Sequence, residues 1–113
     1  MAPDDRIRIR HIADALESAI RFTQGRRRED LDTDEMLAFA LVHAIQIVGE
    51  AATRISPETR EETLGIPWAA IGMRHRLVHA YFDINLDILW TTATEAAPDL
   101  LAKVSPFLGS DGG

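Results

Sequence analysis

The sequence predicts an all-α fold, a four-helix up-and-down bundle with one short additional helical turn. Apolar residues recur at three- and four-residue steps in four long segments, the spacing of a buried helical stripe. No segment alternates apolar and polar residues over the length of a strand, and no internal repeat is present. The 113 residues fit one domain, assigned to residues 1–105, followed by a flexible tail over 106–113. A domain of this size has a single core and gains from a partner subunit.

The first helix is expected over residues 4–24. Ile9, Ile12, Leu16, Ala19 or Ile20, and Thr23 form its stripe, Asp4 and Asp5 complement the dipole at its start, and Gly25 stops it. Residues 26–32 are charged and read as a loop. Its triplet, Arg26-Arg27-Arg28, is expected to be solvated, with RNA or an acidic partner as the functional alternative. The second helix is expected over 34–54 with Thr33 as its cap. From Met36 to Val48 it is apolar nearly all round, so it belongs at the centre of the bundle or in a subunit interface. Within it, His43 reads as a hydrogen-bonded core or interface histidine, and Glu50 as the partner of an arginine near the motif described below.

Ser56-Pro57 reads as a helix start with proline at the first helical position, giving the short extra turn. Pro67 opens a third main helix whose buried side is supplied by Trp68, Ala69, Ile71, Gly72, Leu77 and Val78, ending near residues 80–83. The last helix is expected over 86–104, with Pro98 kinking or restarting it.

Composition bounds the function. The absence of cysteine excludes a disulfide framework and a thiolate metal site, and fits a reducing compartment. No run of about 18 consecutive apolar residues implies a membrane span. The opening MAPDDRIRIR carries charges where a signal peptide has its apolar core, so a cytoplasmic location is expected. A net charge of −6 argues against coating nucleic acid and against a DNA partner. The positive charge is uneven, however: five of the twelve Lys and Arg residues are Arg26, Arg27, Arg28, Arg74 and Arg76. An acidic body with a local basic cleft suits a small RNA footprint.

Residues 74–81, Arg74-His75-Arg76-Leu77-Val78-His79-Ala80-Tyr81, concentrate two guanidinium groups, two imidazoles and the chain's one tyrosine. On a helix His75 and His79 lie about 40° apart, and Arg74, Val78 and Tyr81 within about 60° of one another. Arginine offers a planar fork to phosphate oxygens, and histidine moves a proton near neutral pH. The His75/His79 spacing also occurs in zinc helices, but two flanking arginines repel a dication and no third ligand is near in sequence. No metal and no cofactor are expected. Tyr81 as a nucleophile would need its hydroxyl strongly acidified. Ribonuclease chemistry asks least, because the RNA supplies its own nucleophile. The bland reading of the same residues is a solvated basic helix end.

The pattern Arg74-x4-His79-x-Tyr81 sits within MRHRLVHAYFDI, preceded by IPWAAIG and, upstream, by IQIVGEAATRIS. The whole resembles the HepT-like toxins of the HEPN superfamily, over roughly residues 6–104. The resemblance implies the HEPN-type bundle and a two-fold homodimer whose two motif copies line one cleft. It also implies metal-independent RNA cleavage with Arg74 and His79 as catalytic residues and His75, Arg76 and Glu50 in support. His75 falls within the family's pattern, although Asn is the residue more often expected there. The implied partner is an MntA-like nucleotidyltransferase antitoxin of a type VII toxin–antitoxin system, which would transfer AMP onto Tyr81. Other HEPN relatives imply an alternative, a non-catalytic module that binds a nucleotidyltransferase or nucleotides.

Overall fold

The computed structural model describes residues 1–72 and 85–108, and these are all-helical. The sequence-predicted residues Arg74, His75, Arg76, Leu77, Val78, His79 and Tyr81, and the end of the third main helix, lie outside the described residues. The elements are α1 (Pro3–Thr23), α2 (Asp30–Thr33), α3 (Glu35–Thr53), α4 (Pro57–Glu62) and the helical residues 68–72, here α5. After them come α6 (Leu86–Thr91), a π turn (Thr92–Ala96), α7 (Ala97–Val104) and a 3-10 turn (Ser105–Phe107).

α1 and α3 pack along each other. They run antiparallel, since Asp4 and Ile7 share a groove with Ile47 and Arg54 while Ala19 shares a core cluster with Leu37. One cluster joins Ile9, Ile12 and Leu16 of α1 to Val48, Ala52, Trp68, Leu100 and Val104, and half-buried Phe107 and Leu108 pack against it. A second joins Ala19 to Leu37, Leu41, Ile45, Leu89 and Ala93 at the other end.

The ends of the helices follow local chemistry. α1 starts with Pro3 in the first turn and stops where Gly25 adopts φ +70°, a left-handed conformation glycine takes without Cβ strain. α3 is capped by Asp34, whose side chain accepts from the Leu37 N–H at 3.1 Å. The expected cap, Thr33, instead ends α2, a helical turn that overlaps the loop expected over residues 26–32. Ser56 caps α4 with Pro57 behind it, and Asn85 caps α6 by accepting from the Asp87 and Ile88 N–H groups. Pro98 restarts the last helix as expected: α-helical winding ends at Thr91 and resumes in α7, with the proline in its first turn. The π turn directly before α7 widens the winding at Thr94, the residue whose carbonyl the proline ring would otherwise meet.

α3 is only half enclosed. Leu37, Leu41, Ala44, Ile45, Val48 and Ala52 are buried, but Met36 is 83% and Phe39 61% exposed, and His43 and Glu50 face outward. By length and composition this helix is apolar enough to cross a membrane. Its packing against α1 makes it the core helix of the bundle.

The far end of α1 is fastened by a buried acid. Asp5 is 1% exposed and its carboxylate accepts from Thr59 Oγ1 (2.6 Å), Ser56 Oγ (2.6 Å), the Ser56 N–H (3.2 Å) and Arg8 (3.4 Å). The chain of bonds continues: Thr63 Oγ1 donates to the Thr59 carbonyl at 2.6 Å, and the Trp68 indole N–H donates to Thr63 Oγ1 at 2.9 Å. Burial pushes the Asp5 carboxyl up, yet the hydrogen bonds from Ser56, Thr59 and Arg8 outweigh it and hold the group below its ordinary value.

Two expectations follow from this network. Because the folded carboxyl is more acidic than the unfolded one, Asp5 stabilises the fold at neutral pH, and the contribution fades as pH falls below about 4. Asp5→Asn should therefore cost about 2 kcal/mol at pH 7 and flatten the acid limb of a thermal-melt pH series. Trp68→Phe, which keeps the ring and deletes the N–H donor, should cost about 1–2 kcal/mol in urea unfolding.

Candidate functional site: the frame around residues 73–84

The described residues form the two shoulders of the predicted motif. On the leading side, α5 is tied down within its first turn. Trp68 is 4% exposed and bonded to Thr63, the Ile66 N–H donates to the Thr63 carbonyl at 2.9 Å, and the Ile71 N–H to the Pro67 carbonyl at 3.0 Å. Gly72, the last described residue of this shoulder, lies so near α3 that a Cβ there would sit 3.2 Å from Thr53 Cγ2. Thr53 cannot easily yield, because its hydroxyl donates to the Glu50 carbonyl at 2.7 Å.

On the trailing side, Asn85 caps α6 and Asp87 in its first turn receives Arg28 Nε at 2.5 Å. Arg28 also reaches Asp32 at 3.1 Å, while Arg26 binds Asp34 at 2.5 Å and Asp30 at 3.3 Å. The hydrogen bond from Arg26 holds Asp34 below the usual carboxylate range, and the hydrogen bond to Asp87 raises Arg28. Two of the three arginines expected to be solvated are thus committed to acids that orient α2, α3 and α6. Arg27 alone of the triplet stays outward, 81% exposed and 3.9 Å from Glu29.

Glu50 lies on the outer face of α3, 61% exposed. Among the described residues its partner is Arg54, at 3.1 Å and one turn further on, and the expected pairing with an arginine of the motif lies outside the described residues. An exposed pair at this spacing contributes a few tenths of a kcal/mol. Beside it, Asp4, Ile7, Arg8 and His11 of α1 and Ile47, Glu50, Ala51 and Arg54 of α3 border a groove of about 420 Å³. A second, mostly apolar cavity of about 200 Å³ lies between α1, α3, α5 and α7, with Ala19, Val48, Gly49, Ile71, Ala97 and Leu100 in its walls. Among the described residues, no three His, Cys, Asp or Glu side chains are grouped so as to hold a metal ion.

Sequence reasoning missed Asp5 as the hub of a network, since Asp4 and Asp5 look alike at a helix start. The signal available was Ser56-Pro57-x-Thr59, two hydroxyls within one turn of a helix start.

Comparison with known proteins adds to this frame. Residues 12–107 match the family Ribonuclease HepT-like. A protein of Caldanaerobacter subterraneus subsp. tengcongensis named as a candidate RNase is 36% identical over 101 residues, 88% of this chain and 90% of its own length. The "probable ribonuclease HepT" of Thermococcus cleftensis is 37% identical over 93 residues, covering 81% of this chain and 84% of its own. A candidate RNase of Methanocaldococcus jannaschii is 34% identical over 95 residues, 80% and 87% of the two chains. No solved structure matches the chain significantly. With a match across its helical body and relatives of nearly its own length, the chain belongs to the Ribonuclease HepT-like family of the HEPN superfamily.

Proposed function

We propose that this chain is a metal-independent endoribonuclease and the toxin half of a toxin–antitoxin pair. The family match over residues 12–107, in a chain that carries Arg74-x4-His79-x-Tyr81, supports this reading most directly. In the proposed reaction His79 takes the proton of a ribose 2′-hydroxyl. The oxygen attacks the adjacent phosphorus, and the bond to the 5′-oxygen of the next nucleotide breaks as that oxygen is protonated. The products are a 2′,3′-cyclic phosphate and a free 5′-hydroxyl. Arg74 holds the phosphate and offsets the charge that builds on it, and Tyr81 bonds a phosphate oxygen or stacks on a base. His75 and Arg76 support this set, with Glu50 in a positioning role.

One motif per chain is thin for base and acid together, so the reading includes a homodimer in which the second copy supplies a second histidine, with His75 either a further proton carrier or the residue that orients Arg74. Control falls to Tyr81. Transfer of AMP to its hydroxyl by a nucleotidyltransferase antitoxin puts a phosphate ester where RNA phosphate would bind, and so blocks Arg74 by charge and by bulk. A cytoplasmic location is part of this reading.

His79→Ala should reduce RNA cleavage by roughly 10²–10⁴-fold while leaving the folded protein intact. A well-folded His79→Ala protein that still cleaves RNA and still arrests growth would refute the assignment. Incubation with the cognate nucleotidyltransferase and ATP should add whole AMP units to the peptide containing Tyr81, read by mass spectrometry. A Tyr81→Phe chain should stay unmodified.

A further inference from the structure

Gly72 stands at a position where the backbone gains nothing from glycine. It is helical, without the positive φ that Gly25 adopts, and alanine is the better helix former. What the position demands is room. Gly72 is buried, and a Cβ there would sit 3.2 Å from Thr53 Cγ2, inside the ordinary carbon–carbon contact of about 3.5–4.0 Å. A Cβ on Gly65, seven residues earlier, would meet nothing within 4 Å.

Which side gives way decides what an added atom would do. Thr53 is the last residue of α3, and its surroundings are pinned. Its hydroxyl donates to the Glu50 carbonyl at 2.7 Å, which fixes the side-chain torsion and so the direction of the methyl group. Arg60 holds the chain on either side of it, donating to the Ala52 carbonyl and to the Ile55 carbonyl, each at 3.1 Å. α5 is fastened at its opposite end, where Trp68 is buried and bonded to Thr63. A side chain at position 72 therefore pushes on the Gly72 end of α5, by a few tenths of an ångström. Arg74 follows two residues later, so covalent geometry alone keeps its Cα within about 7 Å of that of Gly72.

We infer that Gly72 is a positioning residue, whose missing side chain against the Thr53 methyl sets how closely the chain carrying Arg74 lies to α3. The methyl is a knob and the bare Cα its socket, a stop that acts by contact and not by attraction. This role deepens the ribonuclease reading above and rests on it. It also gives both residue types a reason: threonine for a methyl that its own hydroxyl aims, glycine for the space to receive it.

Gly72→Ala should lower kcat/KM for RNA cleavage roughly tenfold, chiefly in kcat, because the charge that Arg74 offsets builds only as the 2′-oxygen attacks. Its melting temperature should stay within a few degrees of the wild type, since alanine favours the helix. Thr53→Ser keeps the hydroxyl and deletes the methyl. Combined with Gly72→Ala, it should bring cleavage back to within about threefold of the wild type. A glycine needed for packing alone would show the reverse, a lower melting temperature with kcat per folded chain unchanged. A second readout needs no RNA. The chain has four histidines, His11, His43, His75 and His79. In proton–carbon correlation spectra, Gly72→Ala should shift the His75 ring signal, leave that of His11 in place, and lose the shift when Thr53→Ser is added. Wild-type cleavage by Gly72→Ala overturns the inference. So does a loss of activity or of fold that Thr53→Ser does not recover, or a His75 signal that stays put. A wild type that cleaves no RNA sinks the ribonuclease reading, and the His75 signal then decides by itself whether Gly72 sets the placement.

Discussion

The carboxylate of Asp5 is the constraint from which the described architecture follows. It lies in the first turn of α1, yet its partners are Ser56 and Thr59, more than fifty residues away at the start of α4. A buried anion is costly unless every lone pair is used. Here four donors converge on it, so the cost is met only when α1, the end of α3 and α4 are all in register. From α4 the same hydrogen-bonded line passes through Thr63 to Trp68 and fixes where α5 begins. The side chain that anchors the first helix thereby sets the origin of the segment that leads to Arg74.

Much of this was legible in the sequence, for a physical reason. Helix extents follow from apolar spacing and from residues with few conformational options. The predicted 4–24 and 86–104 correspond to Pro3–Thr23 and to the continuous run from Leu86 to Val104, and Ser56-Pro57 starts α4 as read. Caps are less secure. Thr33 and Asp34 are neighbours that can each accept an N–H, and the choice fell to Asp34 because Arg26 also needs it. The restart at Pro98 is legible because the proline ring cannot continue α-helical winding, whereas the π turn through which it happens leaves no mark in apolar periodicity.

What stayed illegible depends on which residues meet across the fold. Nothing in Asp4-Asp5 says which acid turns inward. An arginine triplet reads as a solvated patch until the acids at positions 30, 32, 34 and 87 are brought round to it. The twofold apolar character of α3 was visible, but which face would be left open was not, since that depends on where α1 lies. The candidate site is a special case: its residues were read as a pattern, and the structure describes the frame on either side of them.

That frame is held by two kinds of bond at the two ends of α1. At one end, Asp5 and its donors are enclosed and almost untouched by dissolved salt, but they answer to protons. At the other, the pairs of Arg26 and Arg28 with Asp34 and Asp87 lie at the surface, where ions screen charge over about 8–10 Å. Acid therefore loosens both shoulders, since Asp34 is also held below its ordinary value, whereas ionic strength acts on the one that follows the motif. Salt, but not acid, thus tells apart the two ends of the twelve residues between Gly72 and Asn85.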